Sequence, residues 1–137
     1  LHDIGQVVWA HFTPELYIDV LKTVGETGCS THEAEQLVLG STHGELGGLL
    51  AEKWQFSQSL IDAIRFHHTP PEDTYVDVMR DTVYLASLLA HAHSNAIEGV
   101  HLTETQKERF KGESDTLLHC MPNLDEEIQE AWAFMDL

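Results

Sequence analysis

The 137-residue chain is short of positive charge, with seven Lys and Arg against 23 Asp and Glu and a formal charge of −16. This imbalance excludes long-range attraction to phosphate backbones or anionic headgroups, so neither a nucleic-acid partner nor a membrane surface is expected. Cysteine is scarce too. Cys29 and Cys120 have no metal-type spacing, and one pair is no disulfide framework, which predicts a reducing compartment and a cytoplasmic location. No apolar run approaches the ~20 residues of a membrane-spanning helix, and the first residues lack the basic start and small-residue cleavage site of a signal peptide. Alternating strand patterns of useful length, internal repeats and low-complexity stretches are also missing, which leaves helices as the regular structure.

What is there supports a helical domain. With 42% hydrophobic residues, a chain of this length can build one core, and residues 1–137 are read as a single domain. Leu1, Ile4, Val7 and Val8, with Trp9 beside them, form a helical pattern with no capping residue or lead-in before it. Thr13, Pro14 and Glu15 start a second helix, buried through Leu16, Ile18, Val20 and Leu21 and ending at the Gly25–Gly28 break. Ser30 and Glu33 form a capping box for a short helix over Ala34–Leu39, with a junction at Gly40 and Ser41 or Thr42.

From His43 to Trp54 the residues Leu46, Leu49, Leu50 and Trp54 recur at helical spacing, while Gly44, Gly47 and Gly48 leave a bare face for a crossing helix. Ser57 caps the next helix, which Thr69, Pro70 and Pro71 stop just after His67 and His68. A longer helix is predicted from about Thr74 to His93, a short one over Thr103–Phe110, and a terminal one capped by Asn123 and Glu126. The fold class is therefore all-α, a bundle of about six to seven helices once the shortest of these eight segments are set aside.

Of ten histidines, a few stand in an order that suggests chemistry. Adjacent His2 and Asp3 project about 100° apart on a helix, close enough for an imidazole and a carboxylate to converge on one metal or bridge two. His43 follows at the start of the glycine-containing helix, then His67 and His68 at a helix C-terminus. Such ligands suit iron, manganese, nickel or zinc, and a paired-metal site activates water for phosphoester attack. Each candidate also has a plainer reading: Asp3 as a hydrogen-bond acceptor, His43 as a residue bonded to its helix start. The helix dipole behind His67 and His68 favours the protonated imidazole, against metal binding. His91 and His93, two apart, fall on different sides of their helix, and His11, His32, His101 and His119 have no partner at ligand spacing; all are read as solvated or packed, and Trp9, Trp54 and Trp132 as core.

The stretches Leu1-His-Asp-Ile-Gly5, His43-Gly-Glu-Leu-Gly-Gly-Leu-Leu-Ala-Glu-Lys-Trp54 and Ile61-Asp-Ala-Ile-Arg-Phe-His-His68, in this order and at these separations, resemble the HDOD domain of bacterial signalling proteins over roughly Leu1 to His93. That resemblance implies the helical bundle of the HD superfamily, a branch related to the HD-GYP cyclic-dinucleotide phosphodiesterases, and a regulatory or output role in which catalysis is often lost. HD-type hydrolases carry a further histidine upstream of the His-Asp pair. Their later aspartate falls at Ser87 in Tyr84-Leu-Ala-Ser-Leu-Leu-Ala90, with Asp77 and Asp81 as substitutes only if the helix register differs. Gln6 stands where active relatives have lysine, and no Gly-Tyr-Pro follows His68.

Three expectations follow from the resemblance and its gaps. The leading one is a catalytically silent module that signals by binding a partner protein or an adjoining domain. Next comes a metal-dependent phosphohydrolase or cyclic-dinucleotide phosphodiesterase using His2, Asp3, His43 and His67 or His68, and third a metal or nucleotide sensor without turnover. The chain is expected to be the C-terminal part of a larger domain whose first helices lie upstream, with homodimerisation as one way to cover the face so exposed.

Overall fold

The computed structural model of the chain describes residues 1–69, 77–94 and 108. The chain divides into two compact units, Leu1–Asn95 and Ala96–Leu137. The helices expected over Thr103–Phe110 and after Asn123 lie outside the described residues, as do His101, His119, Trp132 and the Pro70–Pro71 stop.

The described part of the first unit is all helical: α1 (Ile4–Phe12), α2 (Pro14–Thr27), α3 (Thr31–Leu39), α4 (His43–Lys53), α5 (Gln58–Arg65) and α6 (Val78–Ser94). Among the described residues no helix is long and apolar enough to cross a membrane. Local signals account for the boundaries. Pro14 opens α2 at the position where a missing N–H costs nothing, and Gly28, at φ +73°, closes it in the left-handed conformation glycine tolerates. α2 therefore runs through Gly25 and ends at the Gly28 side of the break the sequence suggests. Ser30 and Glu33 cap α3 reciprocally, Gly40 ends it at φ +70°, and Thr42 with Glu45 forms a second capping box that starts α4 directly at His43.

Helix α4 is the hub, packing on α5 and α1, while α2 packs on α3 and α5 on α6. Its inward side is His43, Gly44, Gly47, Gly48 and Ala51. A Cβ at Gly47 would lie 2.9 Å from an Ile64 methyl and 3.3 Å from one of Ile4, and a Cβ at Gly44 2.7 Å from the Arg65 carbonyl oxygen. The glycines thus let α1 and α5 press onto α4 from two sides. The apolar stripe expected to be buried behaves differently, since Leu49 and Trp54 are exposed. Close helix approach has claimed the glycine face, leaving the leucine side outward.

A similar shift applies to α2, where Val20 is fully buried, Tyr17 and Val24 partly so, and Leu16, Ile18 and Leu21 are exposed. Tyr17 and Val24 share the face of Val20 by spacing of three and four residues, and Ile18 and Leu21 lie off it; Leu16, also four residues from Val20, is exposed toward the start of the helix. An apolar cluster of Ala51, Ile61 and Ile64 with Phe56 and Leu60 fills the α4–α5 side. The largest fully buried side chains among the described residues are Ile64, His43, His67, Glu35 and Val20, so three of the five are polar.

Gly5→Ala is expected to lower stability by on the order of 1–3 kcal/mol, because the new methyl would collide with the His43 backbone. Gly25→Ala, within α2 with open space around it, should raise stability by about 0.5–1 kcal/mol. Urea unfolding of both variants tests this, and a Gly5→Ala chain as stable as the parent would refute the close seating of α1 on α4.

Candidate metal centre

Four side chains from three segments converge where α1, α4 and the end of α5 meet. His2 and Asp3 lie in the turn before α1 and not on a helix, with Asp3 as the N-cap residue. An N-cap aspartate ordinarily accepts a hydrogen bond from its own helix. Here it makes no such bond, and its carboxylate turns to histidines: Oδ2 is 3.0 Å from His2 Nε2, and Oδ1 is 3.4 Å from His43 Nε2 and 3.3 Å from His67 Nε2.

His43 is the first residue of α4 and fully buried. His67 and His68 follow α5 in a turn. The Nε2 atom of His43 is 3.1 Å from that of His67 and 3.0 Å from that of His68. One ligand atom each from Asp3, His43, His67 and His68 lies within 4.8 Å of the other three, so this cluster could hold a metal ion.

The far sides of two rings decide what the near sides offer. His67 Nδ1 is 2.7 Å from the Ile64 carbonyl oxygen, which only accepts, so this nitrogen carries the hydrogen. His43 Nδ1 is 2.6 Å from Glu35 Oε2, an oxygen that also accepts the His43 backbone N–H at 2.8 Å. In the neutral rings both Nε2 atoms therefore present lone pairs to each other at 3.1 Å, an arrangement that calls for a proton or a metal ion between them.

Electrostatics follows from the same contacts. Hydrogen bonds from His43 and His67 hold the Asp3 carboxyl far below the usual carboxylate range, outweighing its partial burial. Burial works against a charged His43, but the Asp3 and Glu35 carboxylates overcome it and raise the imidazole to about 9. Burial, followed by repulsion from His67, His43, His32 and His91, pushes His68 down to about 3. His2 is lowered by burial, with Asp3 opposing.

Of the sequence candidates, Asp3, His43, His67 and His68 come together, while His2 stands beside Asp3 outside the four. Ser87, in the place of the later aspartate, is buried on α6 and lines a cavity of about 660 Å³ with His2, Asp3, Val83, Ala86, Ala90 and His91. Neither substitute reaches the cluster: Asp77 caps α6 through the Arg80 N–H at 3.0 Å and accepts from Ser59 at 2.8 Å, and Asp81 is held 3.3 Å from Arg80 Nε. Gln6 accepts a hydrogen bond from Tyr17 and lies 3.5 Å from Asp3 Oδ1.

Three residues escaped the sequence reading. His32 and His91, read as solvated or packed, have rings 5.1 and 5.6 Å from that of His68. Glu35 is fully buried behind His43. Its one sequence signal is its place on the same side of α3 as Ala34 and Val38, a charge on an apolar face.

Since a ligating Nε2 must be unprotonated, a proton on His43 competes with the metal. Affinity for a divalent metal should therefore rise with pH, falling roughly tenfold per unit from pH 9 down to pH 7, and level off above the His43 value of about 9. Metal titrations across that range would show it. A pH-independent affinity would refute the competition.

Residues 1–70, at the start of the chain, match the family model described as the HDOD domain. An uncharacterized protein of Treponema pallidum (strain Nichols) is 32% identical over 71 residues, which is 52% of this chain and 14% of that protein. The crystal structure of an HDOD domain protein with unknown function from Geobacter sulfurreducens superimposes with a TM-score of 0.71 over 91% of this chain and 48% of that one, at 19% identity, a likeness of fold. The chain thus spans less than half of either protein's length. By the family match, which covers half of its residues and all four convergent ligands, this chain belongs to the HDOD family.

Proposed function

We propose that this chain is a regulatory module of bacterial signal transduction that acts by contacting another protein, an adjoining domain or a second copy, with its helices tied together by a divalent transition metal. The observation that carries the metal-holding part is the convergence of Asp3, His43, His67 and His68 within 4.8 Å, backed by ring nitrogens whose hydrogens are committed elsewhere. Three imidazoles and one carboxylate suit zinc, iron, manganese or nickel. Such an ion, when bound, supplies a cross-link between the turn before α1, the start of α4 and the turn after α5.

Support for signalling without turnover comes from the far wall of the site. Ser87 offers a hydroxyl where a hydrolase needs a second carboxylate, and Asp77 and Asp81 are committed to α6's own N-terminus and to Arg80. Exposed Phe12, Leu16, Ile18, Leu21 and Leu37 on α1–α3 give the module apolar side chains with which to meet a partner. A second reading, a small-molecule sensor or phosphohydrolase, is favoured by the cavity beside Asp3, which has room for a small ligand next to the cluster.

Elemental analysis of protein purified without chelator or affinity tag is expected to find close to one transition metal per chain, lost in Asp3→Ala and His67→Ala. Chelation should lower the unfolding free energy by about 2.7 kcal/mol relative to protein with free metal at 100 times its dissociation constant. No hydrolysis of a phosphodiester or cyclic dinucleotide is expected. Folded, metal-free protein would overturn the metal-holding reading, and metal-dependent turnover would establish the hydrolase in its place.

A further inference from the structure

Glu35 stands in an unusual position for a carboxylate. It is fully buried on α3, and its Oε1 atom has no hydrogen-bond partner among the described residues. Its Oε2 atom takes both of its contacts from one residue, the backbone N–H of His43 at 2.8 Å and the ring Nδ1 at 2.6 Å. Burying a carboxylate with half of its bonding capacity unmet is unfavourable for folding. Thr42 and Glu45 form a capping box that serves the Glu45 and Thr42 N–H groups, which leaves the buried His43 N–H to Glu35. A neutral glutamine would serve the backbone N–H equally well. What only the carboxylate supplies is a strong, charged acceptor for the imidazole, on the side away from Asp3, His67 and His68.

We infer that Glu35 is the positioning residue of the metal centre: it holds the His43 ring in the Nδ1–H form and aims its Nε2 lone pair at the point shared by Asp3, His67 and His68. A carboxylate behind a ligating histidine fixes the tautomer and orientation of the ring and raises its strength as a donor. His67 receives the first two from a backbone carbonyl, that of Ile64, which brings no charge. The two rings are thus oriented by different means, and the charged one serves the histidine at the centre of the cluster. The arrangement also gives α3 a part in the site, although it contributes no ligand. This role rests on the metal-holding reading proposed above.

Cobalt(II) and zinc(II) titrations of the 137-residue chain, of Glu35→Gln and of Glu35→Leu test it, with unfolding of the metal-free proteins measured beside them. Both variants are expected to bind metal about 10- to 100-fold more weakly, with an altered cobalt absorption spectrum; metal-free Glu35→Gln, which keeps an acceptor for the His43 N–H, is expected to be at least as stable as the parent, whereas Glu35→Leu loses that acceptor and is read for affinity alone. A structural staple would show the reverse in Glu35→Gln, lost stability with affinity retained, and equal affinity in all three proteins would overturn the inference while leaving the metal centre intact. If the parent chain takes up no metal, the metal-holding reading fails instead. Long-range proton–nitrogen spectra of the metal-free proteins in alkaline buffer then decide the role of Glu35: an Nδ1–H His43 in the parent that becomes mixed in the variants supports positioning, and the same tautomer throughout overturns it. Should Glu35→Leu not fold, Glu35→Gln carries both readouts.

Discussion

The buried contact between Glu35 and His43 is the constraint around which the described part of this protein is arranged. Two ionisable side chains with no exposure to water lie 2.6 Å apart in the middle of a small helical unit. Their presence there is tolerable only if the groups around them complete the polar network. Asp3, His67 and His68 face His43 from the other side, Asp3 from the turn before α1 and the two histidines from the turn after α5.

Helix packing serves that network directly. Glycines on α4 remove the side chains that would hold α1 and α5 away. The Gly5 and Gly44 contacts bring backbone against backbone at the two ends of the polar cluster, one beside Asp3 and the other beside the turn carrying His67 and His68. Two capping devices complete the geometry. Thr42 and Glu45 start α4 at His43, and Asp3, freed from capping α1, keeps its carboxylate for the histidines. Helix ends, where backbone hydrogen bonding is incomplete and side chains are redirected, supply most of the ligand atoms.

The site also shows how one aspartate and three histidines can hold very different proton affinities at short range. His43, between two carboxylates, is raised to about 9, whereas His68, among imidazoles, is pushed down to about 3. In each case burial acts in the same direction, and the sign of the outcome is set by whether carboxylates or other imidazoles are the neighbours. A divalent ion in place of the shared proton would satisfy the same lone pairs.

Much of this was legible in the residues alone. Helical class, the Ser30–Glu33 cap, Pro14 at a helix start, the bare glycine face of α4 and the order His-Asp, His, His-His are all local or short-range features, governed by backbone preferences that neighbouring residues determine. Four of the five ligand candidates named from that order lie in the convergent cluster. Which large apolar side chains are buried was less legible than the glycine face. Leu49 and Trp54 on α4, and Leu16, Ile18 and Leu21 on α2, are apolar yet exposed; on α4 close backbone approach at the glycines outcompeted side-chain size. Glu35, His32 and His91 became site residues only through packing: a glutamate on the apolar side of α3 carries a mark of burial but none of the histidine it will meet eight positions on, and two histidines on separate helices acquire a shared environment only when those helices meet. The sequence by itself determined the helices, their caps and the order of the ligands. Tertiary structure decided which ligands converge and which carboxylate stands behind them, since both depend on distances between segments far apart in the chain.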